Sequence, residues 1–289
     1  MAYVTDGYDL TAINDEARAT VSAALRALAE AFEAVAIHAR ESLWAEDCRA
    51  ARWMRAYDEL PSPEHIGEVR LLIGHLFSRC FAAADHARGA ALILRGTGTH
   101  VSVATNTRGC IEALAKASYV LTAPTATDAI RNNLRLIRGE MRYLGKYSEV
   151  DVDGTLVDAE VVRDTIDDVS ERFAVTDSAN VTALAAALLD RPSQEPEGRH
   201  YYSHISSFAH AEVDSINMFL TRGNLRRPAL PMAYAVEWAG MCVGTCTLIG
   251  WDLVDFFGID GSVGHRWAMA VDTTVAAIQA TASAGKRQD

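Results

Sequence analysis

The chain has 289 residues, of which 49% are hydrophobic and 22% charged, with a formal net charge of −11. This is a globular profile, long enough for one large domain or two small ones. A bulk-acidic chain is not a generic nucleic-acid coat, because phosphate binding is driven by Lys and Arg. The five cysteines are odd in number and include no C-x-x-C, which argues against a disulfide framework or zinc knuckle and for reduced thiols.

The opening stretch, MAYVTDGYDL, has neither the basic end nor the apolar core of a signal peptide, so a cytoplasmic protein is expected. Helical periodicity then dominates. It predicts helices over about 13–46, 64–95 (opened by PSPE), 102–122 and 126–147 (capped by TATD). Further helices are predicted over about 157–173, 178–189, 199–221, 231–257 and 263–283, with DRPSQEPEG at 190–198 as a loop. The longest uncharged run, 238–251, has 14 residues, short of the roughly 20 that a membrane span needs, and reads as a buried central helix. The expectation is an all-α protein, a helical bundle of about eight helices in a single domain over 1–289, with 148–198 as a peripheral insertion.

DVDGTLVD, 151–158, matches the opening of haloacid-dehalogenase-type phosphatases. Such an enzyme needs its first Asp at the end of a buried parallel strand, yet the preceding residues are LGKYSE, and no strand-flanked Lys or GDxxxD follows. The match is therefore read as a hydrophilic loop with a turn at Asp153-Gly154 and a helix from about Thr155.

The segment EGRHYYSHISSFAHAEVDS, 197–215, carries three of the nine histidines. Arg199 and His204 have the form R-x4-H, and Ser206 and His210 stand one helical turn apart. Earlier, RGCIEALAKASYVL places Arg108, Glu112 and Lys116 at i, i+4 and i+8 as a charged ridge. Together these motifs resemble the HEPN superfamily of helical proteins, with Glu112-x3-Lys116 on one helix and Arg199-x4-His204 at the start of a later one. YYSHISSFAHAE also resembles the Y-x2-(I/L)-S-x3-H of an uncharacterised HEPN-related family. There the matching positions are Tyr202, Ser206 and His210, with Arg108 and Glu112 on the partner helix. The resemblance covers about 105–215 and leaves two competing registers. Only the first implies ribonuclease chemistry: metal-independent RNA cleavage, with His204 relaying a proton and Arg199 stabilising the charged phosphorane, supported by Glu112 and Lys116. It also implies RNA as ligand, a homodimer, and an antitoxin-like protein partner, with no cofactor or metal. A non-catalytic descendant that binds a partner fits the same motifs.

In RNNLRLIRGEMRYLGK, the cations Arg131, Arg135, Arg138, Arg142 and Lys146 step by 4, 3, 4 and 4 onto one helix face. That stripe is expected either to hold flanking phosphates or to pair with acidic residues of another helix. Two rivals from small-molecule chemistry remain. A metal oxygenase could draw on His200 and His204, although Tyr201 stands where a zinc helix carries Glu, or on Glu197-x2-His200, although no second E-x-x-H completes that pair and His65-x2-Glu68 is reversed in order. An all-α isoprenoid cyclase could use DDVSE, 167–171, to hold Mg²⁺-diphosphate. His75, Asp85 and His86 share a helix without a recognisable partner set, and Cys242 and Cys246 read as buried thiols.

Overall fold

A computed structural model describes residues 15–42, 44–58, 66–96, 101–144, 146–152, 155–191, 197–210 and 232–284. The PSPE opening, His65, His100, the Asp153-Gly154 turn and the expected helix beyond residue 210 lie outside them. Among the described residues the chain is all-helical apart from one hairpin, with ten helices rather than about eight. They are α1 (Asp15–Glu41), α2 (Arg49–Asp58), α3 (Ile66–Arg95), α4 (Val101–Leu121), α5 (Ala126–Leu144), α6 (Ala159–Arg172), α7 (Val181–Asp190), α8 (Gly198–Ala209), α9 (Met232–Phe257) and α10 (Gly261–Ala284).

The long helices follow from the spacing of their apolar residues. On α1, Val21, Leu25, Leu28, Phe32 and Val35 step by three and four and are fully buried. Acidic Asp15 and Glu16 open that helix and His38 and Arg40 close it, which suits its dipole. The second half of α3 buries Ala83, Ala84, Ala87, Ala90 and Ala91, and α4 answers with Ala104, Cys110, Ala115 and Ala117, so small residues let the two helices approach closely. A Cβ on Gly89 would lie 2.5 Å from Asn106 Oδ1, and one on Gly109 would lie 2.6 Å from the His86 ring. These contacts pair the end of α3 with the start of α4, so the two run antiparallel. Helices α1, α3, α4 and α9 form the centre of the bundle, and α10 packs along α1. Aromatic rings fill the middle, with Phe77 stacked on Phe257 at 5.4 Å and Trp53 edge-on to Phe256 at 4.8 Å.

Helix α9 has the length and composition to cross a membrane, but 61% of its apolar window is buried inside the bundle, as the uncharged run predicted. It ends in a Schellman motif: Ile259 N–H reaches Val254 O at 2.9 Å and Gly258 adopts φ 62°. Helix α5 opens on a threonine N-cap, in which Thr125 Oγ1 accepts from Asp128 N and donates to the Asp128 carboxylate.

Two elements depart from the sequence reading. Arg49–Asp58 is a helix whose Ala50 and Trp53 are buried and which packs on α3 and α9, a segment of fewer than three turns whose apolar pairs alternate with Arg49, Arg52, Arg55 and Asp58. The phosphatase-like octet is a β-hairpin rather than a loop running into a helix. β1 (Glu149–Val152) pairs antiparallel with β2 (Thr155–Asp158), and α6 begins only at Ala159, capped by Asp158. A two-residue Asp-Gly link between short β-formers favours that hairpin. Within 148–198, α6 leans on α5, whereas α7 packs against α4 and α8 and buries Ala185 and Leu188.

Candidate functional site

Three local features aim α8 at α4. Gly198 N donates to Asp190 Oδ1 at 2.6 Å, tying the start of α8 to the end of α7. Gly198 also lets the helix touch the Ala186 carbonyl, where a Cβ would collide with backbone. Arg191 then clamps Asp252 of α9 with two bonds of 2.6 and 3.0 Å.

So held, α8 runs antiparallel to α4 and presents Tyr202, Ser206 and His210 to it. Tyr202 donates its hydroxyl to Glu112 Oε1 at 2.5 Å, and Arg108 Nε donates to the same oxygen at 2.7 Å. Arg108 Nη1 reaches His210 Nε2, and the guanidinium lies over the Tyr202 ring. Because an arginine only donates, His210 Nε2 accepts, which is the state of a neutral imidazole with its proton on Nδ1. Burial works against the Arg108 charge, but Glu112 and Tyr202 outweigh it and raise its pKa. Burial and the bond to Glu112 raise the Tyr202 pKa, so the phenol keeps its proton. Ser206 lies between Tyr202 and His210, and its buried hydroxyl has no hydrogen-bond partner among the described residues.

Beside this network a cavity of about 350 Å³ opens between α3, α4 and α5. His75, Arg79 and His86 line it from α3, Glu112 and Lys116 from α4, and Glu140 from α5. Lys116 Nζ pairs with Glu140 at 2.7 Å. Arg79 is only 9% exposed, and its Nη1 has no partner among the described residues. The His75 pKa is lowered by burial first and by the Arg79 charge second. Asn133 Nδ2 meets His75 Nδ1 at 3.2 Å, which leaves the ring proton on Nε2.

Comparison with known proteins finds no matching family model, no matching curated relative and no matching solved structure.

Of the sequence candidates, Arg108, Glu112, Tyr202 and His210 are joined by hydrogen bonds, with Ser206 on the same helix face. Arg199 and His204 are not joined. They stand about 140° apart around α8. His204 faces α9, within 5.1 Å of the Phe208 ring centre and 5.5 Å of that of Tyr234, and burial followed by the His200 charge lowers its pKa. Arg199 is exposed at the first turn of α8. Lys116 is turned to α5 rather than to α8.

Most of the basic stripe is neutralised by nearby acids. Arg135 pairs with Asp177 at 3.0 Å, Arg138 with Asp167 at 2.6 Å, and Arg131 with Asp128 at 3.5 Å. Arg142 and Lys146 both lie against the Tyr143 ring. Asp167, the first residue of DDVSE, is thus an ion-pair partner of α5. Among the described residues no three His, Cys, Asp or Glu converge as metal donors. The thiols form a buried seam, with Cys110 Sγ 3.8 Å from Cys246 Sγ, and burial pushes Cys80 up to about 12.

Sequence reading missed Arg79, Asn133 and Glu140, and left His75 and His86 without partners. The signal was present: His75, Arg79 and His86 fall within about 40° of one line along a helix otherwise rich in Leu and Ala.

Proposed function

We propose that the chain is an HEPN-like helical protein that binds RNA in the groove over α4 and cleaves it without a metal, the roles that the resemblance gave to Arg199 and His204 passing to Arg108 and His210, which are the pair that meets. The observation that carries this reading is the Arg108–His210 contact, in a guanidinium already oriented by Glu112 and Tyr202. An arginine held by a carboxylate and a phenol offers its remaining N–H groups to phosphate oxygens without reorganising. Its partner is an exposed imidazole with an acceptor nitrogen, the form a general base requires.

In this mechanism an incoming phosphate takes the Arg108 donor and frees His210 Nε2. That nitrogen removes the 2′-hydroxyl proton while the 2′-oxygen attacks phosphorus. Arg108 stabilises the charge on the phosphorane. The bond to the 5′-oxygen then breaks, and His86, which presses on Gly109 one residue along α4 from Arg108, returns a proton to it. The products are a 2′,3′-cyclic phosphate and a 5′-hydroxyl end. His204 has no acid–base role in this scheme. Arg199 shares the angular face of Ser206 and His210 at the far end of α8 and contacts a flanking phosphate.

The test is cleavage of a labelled single-stranded RNA in EDTA. Activity is expected to persist with the chelator and to fall at least about 100-fold in Arg108→Ala and His210→Ala, the usual scale of acid–base catalysis. His204→Phe is expected to stay within a few-fold of wild type. Full activity in His210→Ala would falsify the assignment.

A further inference from the structure

We infer that Arg79 is the seat of a second phosphate, so that the groove takes a strand through two anionic groups rather than one. The inference rests on the reading of Arg108 as ligand of the scissile phosphate, and deepens it.

A charge count across the groove leads to it. Two carboxylates face the cavity, and each has its own cation: Glu112 holds Arg108 at 2.7 Å, and Glu140 holds Lys116 at 2.7 Å. Arg79 is the cation left over. It is also the most deeply buried of the three, at 9% exposed, with Nη1 unpartnered among the described residues. Glu140, already paired with Lys116, acts on Arg79 only at a distance, and burial outweighs that charge and lowers the Arg79 pKa, so an anion in the cavity would offset the cost of keeping the guanidinium charged.

The neighbouring groups suit a phosphate. His75, held by Asn133 at Nδ1, presents an N–H at Nε2 and lines the same cavity. Burial and the Arg79 charge lower its pKa, so it serves as a neutral donor. Lys116 stands at the rim with 22% of its side chain exposed. The cavity, at about 350 Å³, is large enough for a phosphate and its water. Arg108 and Lys116 are two helical turns apart, about 12 Å along α4, too far for one phosphate to bridge. A phosphate on Arg79 and Lys116 is therefore a different one from that on Arg108, and the ligand class that supplies both from one chain is an oligonucleotide.

The experiment uses the full chain and inorganic phosphate, followed by a 2′-O-methyl RNA decamer that cannot be cleaved by this route. Wild type and Arg108→Met are expected to gain thermal stability with phosphate, and Arg79→Met to gain markedly less, only what the Arg108 site supplies. The decamer is expected to bind Arg79→Met at least about tenfold more weakly than wild type. Arg79→Lys keeps the charge but loses the planar fork, and an intermediate phosphate response is expected; it also serves if Arg79→Met fails to fold. If this pattern holds while RNA cleavage is absent, the subsite stands and the nuclease reading falls. A phosphate response unchanged in Arg79→Met or Arg79→Lys, or abolished equally by Arg108→Met, overturns the inference.

Discussion

The Glu112 carboxylate can be tested by a double-mutant cycle with Tyr202. Tyr202→Phe keeps the ring, which is 4% exposed, and deletes only the hydroxyl that donates to Glu112 Oε1 at 2.5 Å. A hydrogen bond to a charged group contributes about 1.5–3 kcal/mol, and with 28% of the Glu112 side chain exposed the lower end, about 1.5 kcal/mol, is expected. Glu112→Gln keeps the shape and loses the ion pair with Arg108, a partly exposed pair for which about 1 kcal/mol is reasonable. In the Gln background the Tyr202 hydroxyl meets a neutral acceptor and contributes only about 0.5 kcal/mol. The double variant should then lose about 1.5 kcal/mol rather than 2.5, a coupling of about 1 kcal/mol. Urea unfolding followed by far-UV circular dichroism measures all four proteins. Additivity within about 0.3 kcal/mol would mean that the two side chains do not interact, and the proposed orientation of Arg108 would lose its basis.

Two further predictions concern the scaffold. Burial lifts the Glu237 pKa from 4.5 to about 7, so the native state holds a proton that the unfolded chain releases between those values. Stability should therefore fall as pH rises through that window, by at most about 3 kcal/mol, and Glu237→Gln should match wild type near pH 4 but exceed it by about 2 kcal/mol at pH 8; a pH-independent difference in urea midpoint would refute this. Ala174 holds φ 53° in the Schellman turn that closes α6, where Val175 N reaches Ser170 O at 2.8 Å. Relief of left-handed strain makes Ala174→Gly stabilising by about 0.5–1 kcal/mol, and a lower urea midpoint would contradict it.

The long helices were legible because each buries a stripe wide enough to show a period of 3.6, as Val21 through Val35 do on α1. Arg49–Asp58 was not, since ten residues make fewer than three turns and its apolar pairs are interleaved with four charged residues. The hairpin was missed because its octet was compared with a buried phosphatase strand, whereas β1 and β2 pair only with each other and β2 is largely exposed. At the site, Arg108, Glu112, Tyr202 and His210 could be named from motif spacing, since both halves lie within single helices. Arg79 and Asn133 could not. What gives them meaning is the approach of α3 and α5 to α4, and helical periodicity says which residues share a face but not which face meets which.

The two histidine registers of α8 reduce to one rotation of the helix. Tyr202 and Phe208 are buried at 4% and 1%, and they fix the helix against α4 on one side and α9 on the other. His204 stands about 200° from Tyr202 and so must enter the aromatic layer, where its ring meets Phe208, Tyr234 and Trp238. A charged imidazole is disfavoured there by desolvation, consistent with its lowered pKa. His210 lies about 80° from Tyr202, beyond the last full turn, where it reaches Arg108 while remaining exposed. No rotation of an ideal helix aims both histidines squarely at α4, because they are about 120° apart around its axis. The packing that buries Phe208 therefore selects His210 for the groove and assigns His204 to the core.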